Sequence, residues 1–529
     1  MERWPAKPIS TSKPPGQSGK NKFLSLKLAS FEEYLYFVIQ STFIQEVTGQ
    51  LGWNYRDHFF WPFTLYFKAL LKPFTMTIDI IIAYVKRYEF GHEKDFVPPI
   101  TGIHLAAITP REHTVRVFHQ QVDRLDFDSR ADLIALSFFS GFAPAAFDLA
   151  LEFKKRGKTV VAGGPHVTFN IEESLAHFDA IVTGEAETAW IDLLRDQTLG
   201  QLKRVYTGRP CEMKDLPTPR YDLLSNKFFI RKVIQATRGC PFTCSFCTVP
   251  TLNPGFRLRP VQDVIRDAAY DDFPHWWQRK VVWFWDDNLT INRNYIHALL
   301  TELKPLKKWW LTQASLDIAK DDKLLDMMRD SGCIGVFLGI ESFDKESLAD
   351  AHKRQNKIGN YKTAVAAIHK RGIAVMAGFI AGFDHDTREN IEEMADRIME
   401  IGIDVPFLSV MTPFRGTPIY HELLKEDRML SKGWQFYNGY NVAFMPKKMT
   451  PKELLLSHRN LWKKSFSVIY SLKRILRGLL TLRPGAMCLS LFMNSFYMYK
   501  RIRKNYPVDM NKYPVAHWEK YVASVHATN

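Results

Sequence analysis

Residues 236–249 read ATRGCPFTCSFCTV and set Cys240, Cys244 and Cys247 in a C-x3-C-x2-C run at the end of an apolar, strand-like stretch, KVIQAT. Thiolates are the ligands of iron–sulfur clusters, and a 4Fe-4S cube takes four of them. Three thiolates on one loop therefore leave one iron open to a small molecule. A zinc site would show a second pair of ligands, and no second Cys or His pair stands near this loop. Cys211, Cys333 and Cys488 are isolated and read as buried small hydrophobes. Six cysteines in 529 residues are too few for a disulfide scaffold, and three crowded together indicate metal ligation in a reducing, cytoplasmic setting.

Downstream of the loop, short apolar runs alternate with helical segments: VVWFW, WLTQASL, IGVFLGI, AVMAGFI and PFLSVM are separated by stretches such as NYIHALLTELK and RENIEEMADRIMEIG. With KVIQAT these make six βα units, which curve into a partial barrel short of the eight that close one. Upstream, IDIIIAYV, HTVRVF, DLIALSFF, KTVVAGG and DAIVTGE are each followed by a loop and a helix, the pattern of a doubly wound parallel sheet. Ligands of such sheets sit beyond the carboxyl ends of the strands, where the loops read SFFSG, GGPH and TGEAE.

The C-x3-C-x-aromatic-C spacing, with Phe246 as the aromatic, resembles the signature of radical S-adenosylmethionine enzymes. In that family the open iron is chelated by S-adenosylmethionine, which is cleaved to a 5′-deoxyadenosyl radical. GIES (339–342) is similar to the segment whose acid helps hold the cofactor, which makes Glu341 the candidate, with Gly339 and Ser342 beside it. GFIAG (378–382), ending in Gly382, resembles the glycine-bearing strand beside the adenine, and TPFRGTPIY (412–420) the closing segment. Asp286 and Asp287 of WDDN, and Gln313, are expected to face the same cavity.

A doubly wound domain ahead of such a barrel resembles the class with an N-terminal cobalamin-binding domain, as do GGPHVTF and IVTGEAE. By that resemblance Ser137, Ser140, Gly163, Gly164, Pro165, Gly184 and Glu185 line a cobalamin site. The D-x-H-x-x-G motif that supplies a cobalt ligand elsewhere is absent: His92 stands in GHEKD without the Asp, and His166 reads as a loop residue. The expected cofactors are a 4Fe-4S cluster, S-adenosylmethionine and cobalamin.

The expected fold class is α/β: a Rossmann-like cobalamin-binding domain (76–200), a linker (201–229) with Pro210, Pro217 and Pro219, and a TIM-like radical S-adenosylmethionine barrel (230–425). A tail (1–22), a helical extension (23–75) and a basic helical region (426–529) flank them. The net charge of +15 points to an anionic partner. A tRNA methylthiotransferase would carry a second cysteine triad upstream, and no cysteine precedes Cys211, so no nucleic-acid partner is expected. No run of about 18 uncharged apolar residues is present, so a spanning helix is not expected. Aromatic-rich 23–74 reads as a helical cap or as helices on a membrane surface, and 450–529 as a solvated helical face or as one resting on anionic lipid.

The reading that follows is an enzyme that C-methylates an unactivated carbon of a lipid or other hydrophobic substrate, resembling hopanoid-modifying members. It would take electrons from a donor such as a flavodoxin or ferredoxin. Competing readings are non-methylating ring formation, coupling or rearrangement on a lipid or tetrapyrrole, and a cobalamin-binding sensor with an inactive barrel.

Overall fold

The computed structural model describes residues 75–512, except Lys86, residues 90–96 and Asp215. The expected tail, almost all of the helical extension, His92 and residues 513–529 lie outside the described residues.

The first sheet is built from β1 (Thr77–Ile82), β2 (Thr114–His119), β3 (Leu133–Ser137), β4 (Thr159–Gly163), β5 (Ala180–Thr183) and β6 (Val205–Thr207). Its order is β2-β1-β3-β4-β5-β6, with every neighbouring pair parallel. Alternate residues along the strands enter two different cores: Ile78, Ile80, Leu133 and Ala135 pack on one face, Ile81, Ile134 and Leu136 on the other. Both faces are covered, as apolar β-branched strands without polar alternation require. The chain reverses its direction of winding between β1 and β3, the position where sheets of this order leave a ligand crevice. β6 corrects the expected domain boundary. It lies in the presumed linker, yet Val205, Tyr206 and Thr207 pair with β5, and the Tyr206 hydroxyl donates to buried Asp196 at 3.0 Å.

The second sheet holds β7 (Lys232–Ile234), β10 (Val281–Phe284), β11 (Trp309–Ala314), β12 (Cys333–Glu341), β13 (Ala374–Ala381) and β14 (Val405–Val410) in sequential order, all parallel. β7 and β14 are the two edges, so the six-stranded sheet does not close on itself. A small hairpin, β8 (Thr237–Arg238) with β9 (Arg257–Leu258), brackets the cysteine loop.

Crossover helices such as Arg293–Leu303, Tyr361–His369 and Arg388–Ile401 cover one face of this sheet, where Val282, Val336, Leu338, Val375 and Ala377 are buried. The opposite, inward face has a different cover. Helix Pro484–Ile502 lays Ala486, Leu489, Met493 and Tyr497 against Leu311, Ile334, Ala374, Met376, Val405 and Phe407. The region expected as a flanking extension thus supplies part of the barrel's interior, filling the half nearer the strands' amino ends. Residues 426–450 are largely non-helical, with one bridge pairing Met429 and Phe444.

Candidate active site

Gly239 opens the cysteine loop with φ +89°, and a Cβ there would overlap the carbonyl oxygens of Gly255 and Asn253. Only glycine lets the two ends of the loop approach this closely. The backbone is then tied from three directions. Asp286 accepts from the amides of Ala236 (3.1 Å) and Thr237 and from the Thr237 hydroxyl (2.7 Å), and Asp287 accepts from Gly239 N at 3.0 Å. Ser245 N donates to Ala351 O at 3.1 Å, and Ser245 O accepts from Ile419 N at 3.0 Å. The expectation for Asp286 is corrected accordingly: its carboxylate holds the loop, whereas Asp287 both holds Gly239 and lies within electrostatic reach of Cys240 and Cys247, where it adds to the rise in pKa that burial causes. Asp286 is fully buried, and burial pushes its pKa up to about 7.

Cys240, Cys244 and Cys247 are all free thiols. Burial raises the pKa of each, Cys247 to about 11, where the neighbouring Cys244 and Cys240 add to the effect. Three reduced thiols within electrostatic reach of one another, shielded from water, form a donor set for a soft metal centre that would take their protons' place.

Facing them, Glu341 ends β12 with φ +67°, a left-handed conformation that costs a non-glycine residue about 1–3 kcal/mol. A break in the β12–β13 register between Gly339 and Glu341 re-aims this side chain. Its carboxylate accepts from Lys353 Nζ at 2.9 Å. A Cβ on Gly339 would lie 2.8 Å from Lys353 Nζ, so this glycine clears space for the ion pair, while one on Gly378 would press on the Phe337 ring at 3.1 Å. Asn356 donates to Gly339 O (2.8 Å) and Ile340 O (3.0 Å), fixing the turn. Burial opposes the charge of Lys353, but Glu341 first and then the Cys244 thiol raise its pKa above the ordinary lysine value. Lys353 was not among the sequence candidates; HKRQNK carries no motif, and only the fold brings it beneath β12.

The remaining candidates divide. Phe246 sits 6.4 Å from the Phe383 ring and 5.8 Å from Lys353 Nζ. Gln313 lies opposite Phe337 on the inward face, beyond the part filled by the C-terminal helix, and is half-buried. Ser342 accepts from Asp344 N at 3.0 Å and so braces Asp344, whose carboxylate caps the next helix by accepting from Ser347 N at 2.7 Å. Gly382 has φ +111°, donates to Asp386 at 2.7 Å, and packs towards Leu454 and Phe444.

In the first domain, Ser137 pairs with Gly163 in the register of β3 and β4, and Ser140 follows on the next turn. Gly164 has φ +102° and would place a Cβ 3.1 Å from the Ser137 hydroxyl, while Pro165 starts the helix Pro165–Phe169. Phe139 is 56% exposed at this edge, an apolar ring open beside the crevice. Gly184 donates to the Thr168 hydroxyl at 3.1 Å. His166 is fully buried among Phe138, Phe147 and Trp434, with its pKa pushed down to about 3, chiefly by burial. Phe169 lies under Gly416 of the TPFRGTPIY segment, so the mouths of the two sheets meet.

Glu185 is corrected in role. Its carboxylate accepts from Arg238 Nη1 (2.7 Å), from Arg257 and from Cys211 N (3.0 Å), and neighbouring Glu187 takes Arg238 Nη2 (2.7 Å) and pairs with His104 (3.0 Å). Glu185, Glu187 and Cys211 lie close enough to offer metal ligands, but both carboxylates are already neutralised by guanidinium groups.

Residues 234–398 match the family model described as the radical SAM superfamily. The chain is 30% identical over 352 residues to the bacteriochlorophyllide d C-12(1)-methyltransferase of Chlorobaculum tepidum, covering 65% of this chain and 76% of that protein. It is 28% identical over 351 residues to the hopanoid C-2 methylase of Rhodopseudomonas palustris, covering 63% and 66% respectively. Among solved structures it resembles the radical S-adenosylmethionine methyltransferase TsrM from Kitasatospora setae, described with cobalamin and a [4Fe-4S] cluster bound, at a TM-score of 0.57 and 14% identity over 81% of this chain and 99% of that one.

Proposed function

The chain belongs to the radical SAM superfamily, and from that premise we propose that it is a cobalamin-dependent methyltransferase that adds a methyl group to an unactivated carbon of a hydrophobic substrate. The observation that carries this reading is the loop of Cys240, Cys244 and Cys247 at the carboxyl end of β7, facing the Glu341–Lys353 pair. When bound, the cluster with S-adenosylmethionine supplies a radical that abstracts hydrogen, and cobalamin supplies the methyl group. The two relatives are named for methylation of bacteriochlorophyllide d and of a hopanoid, which supports methylation of a large apolar acceptor.

The protein's own part is binding, orientation and exclusion of water. The three thiols would hold the cluster. Glu341 and Lys353 would hold S-adenosylmethionine beside the thiols, and Gly339 would leave room for it. Half-buried Gln313, with Phe337 beside it in the register of β11 and β12, lies beyond the part of the inward face filled by the C-terminal helix and would line the substrate chamber. Ser137, Ser140, Gly163, Gly164 and Pro165 would line the cobalamin crevice at the β1/β3 reversal. Electrons would come from a flavodoxin- or ferredoxin-like donor.

The test is incubation of the reconstituted, reduced enzyme with methyl-deuterated S-adenosylmethionine and separate tetrapyrrole and membrane-lipid extracts. Deuterated methyl in either extract supports the reading and names the substrate class. Deoxyadenosine formation with no labelled product from either would favour the non-methylating alternative.

A further inference from the structure

Helix Val468–Thr481 is turned inside out. Its buried residues are Ser471, Arg474 and Gly478, at i, i+3 and i+7, while Ile469, Leu472, Leu476 and Leu480 face solvent with exposures of 65%, 46%, 59% and 86%. Arg474 turns inward, donating through Nε to the Tyr470 carbonyl (3.3 Å) and through Nη2 to that of Ser465, and lies 5.6 Å from the Phe466 ring. A Cβ on Gly478 would lie 3.2 Å from the Ser490 hydroxyl on the next helix, so the glycine lets the two helices approach closely. The small and cationic residues thus make the internal contact and the leucines are left over. A soluble surface helix has the reverse arrangement, so an outward leucine stripe of this length marks an interaction face.

The charge around this face selects its occupant. Residues 454–508 contain eleven Lys and Arg and no Asp or Glu in 55 positions. Lys473, on the helix itself, and Arg503 and Lys504, at the end of the helix packed against it, are exposed without a carboxylate partner among the described residues. Arg501 ties that end to the start of the bundle by donating to Lys463 O at 3.3 Å. A second copy would bring the same cations against these. An anionic bilayer offers apolar depth for leucines and phosphates for lysines at once. No helix among the described residues is long and apolar enough to cross a membrane, so the contact would be peripheral.

We propose that helix Val468–Thr481 docks the protein on an anionic lipid bilayer, with Ile469, Leu472, Leu476 and Leu480 entering the acyl boundary and Lys473 at the headgroups. This holds whatever reaction the barrel performs.

The test is cosedimentation of the full-length, cluster-loaded protein with vesicles of phosphatidylcholine alone or mixed with phosphatidylglycerol. Binding is expected to the mixed vesicles, to weaken as salt rises, and to fall at least tenfold in a Leu472→Glu/Leu476→Glu/Leu480→Glu variant. All three positions are exposed, so iron content and melting temperature should stay at the parent values. Failure of the parent protein to sediment would overturn the proposal, as would equal binding by the triple variant. So would a parent dimer that the triple substitution converts to monomer without any vesicle binding, which would assign the face to a second copy.

Discussion

Glu185 and Arg238 meet at 2.7 Å across the junction of the two sheets, both nearly inaccessible to water. Arg238 is two residues before Cys240, so a loop of the first domain grips the cysteine loop of the second. The contact gives the first domain a structural hold on the cysteine loop through a small ion-pair network, in which Arg238 also pairs with Glu187 and Glu185 with Arg257.

Glu185→Gln removes one charge from this set, leaves Arg238 with Glu187 alone and takes from Arg257 its only carboxylate partner among the described residues. Breaking a buried pair by removing one partner costs about 3–5 kcal/mol. Urea denaturation should show a loss of that order, and the iron retained after reconstitution should fall. Unchanged stability and iron content would mean the pair holds nothing.

Each of Cys240→Ala, Cys244→Ala and Cys247→Ala should abolish the cluster's visible absorbance and deoxyadenosine formation. Exposed Cys488→Ser should leave both at parental levels. Iron analysis alongside circular dichroism separates ligand loss from misfolding.

Gly239→Ala places a methyl group against the Gly255 carbonyl in a left-handed backbone conformation. Cluster incorporation should drop sharply although no thiol has been touched. Gly359→Ala, where a Cβ meets nothing within 4 Å, is the matched control and should incorporate normally.

Glu341→Gln keeps size and removes charge. The affinity for S-adenosylmethionine should weaken at least tenfold, while iron content and the reduced cluster's spectrum in the absence of S-adenosylmethionine remain those of the parent. Equilibrium dialysis with labelled cofactor measures the first, and loss of the cluster itself would argue for a structural role instead.

His458 is fully buried, bonded to Leu408 O at 3.1 Å and accepting from Arg459, and burial holds its pKa near 3 against an ordinary 6.5. The unfolded chain therefore binds a proton that the folded one refuses. Stability from this group is complete above pH 6.5 and declines as pH falls towards 3, by about 1.4 kcal/mol per pH unit. His458→Gln should flatten the pH–stability curve by that slope between pH 6 and about 4, and identical slopes for both proteins would refute it.

Much of this was legible without coordinates because local patterns carry it. The C-x3-C-x2-C run needs only short-range spacing to present three thiols, and the apolar runs of both sheets declare themselves by being buried on two faces. What escaped notice had no local signal. β6 is three residues, VYT, recognisable as a strand only by its pairing with β5. Asp286 reads as a site acid by position, but the fold points it at the backbone amides of Ala236 and Thr237, 50 and 49 residues earlier in the chain.

By itself the sequence determined the run of three cysteines and the two βα series, since each rests on residue chemistry and periodicity along a few tens of residues. Only the tertiary structure decided that Lys353 answers Glu341, that Glu185 serves Arg238, and that helix Val468–Thr481 turns its leucines outward. Those outcomes depend on which distant group meets each side chain. A carboxylate or a leucine stripe has the same composition whether it faces a ligand, an arginine or water.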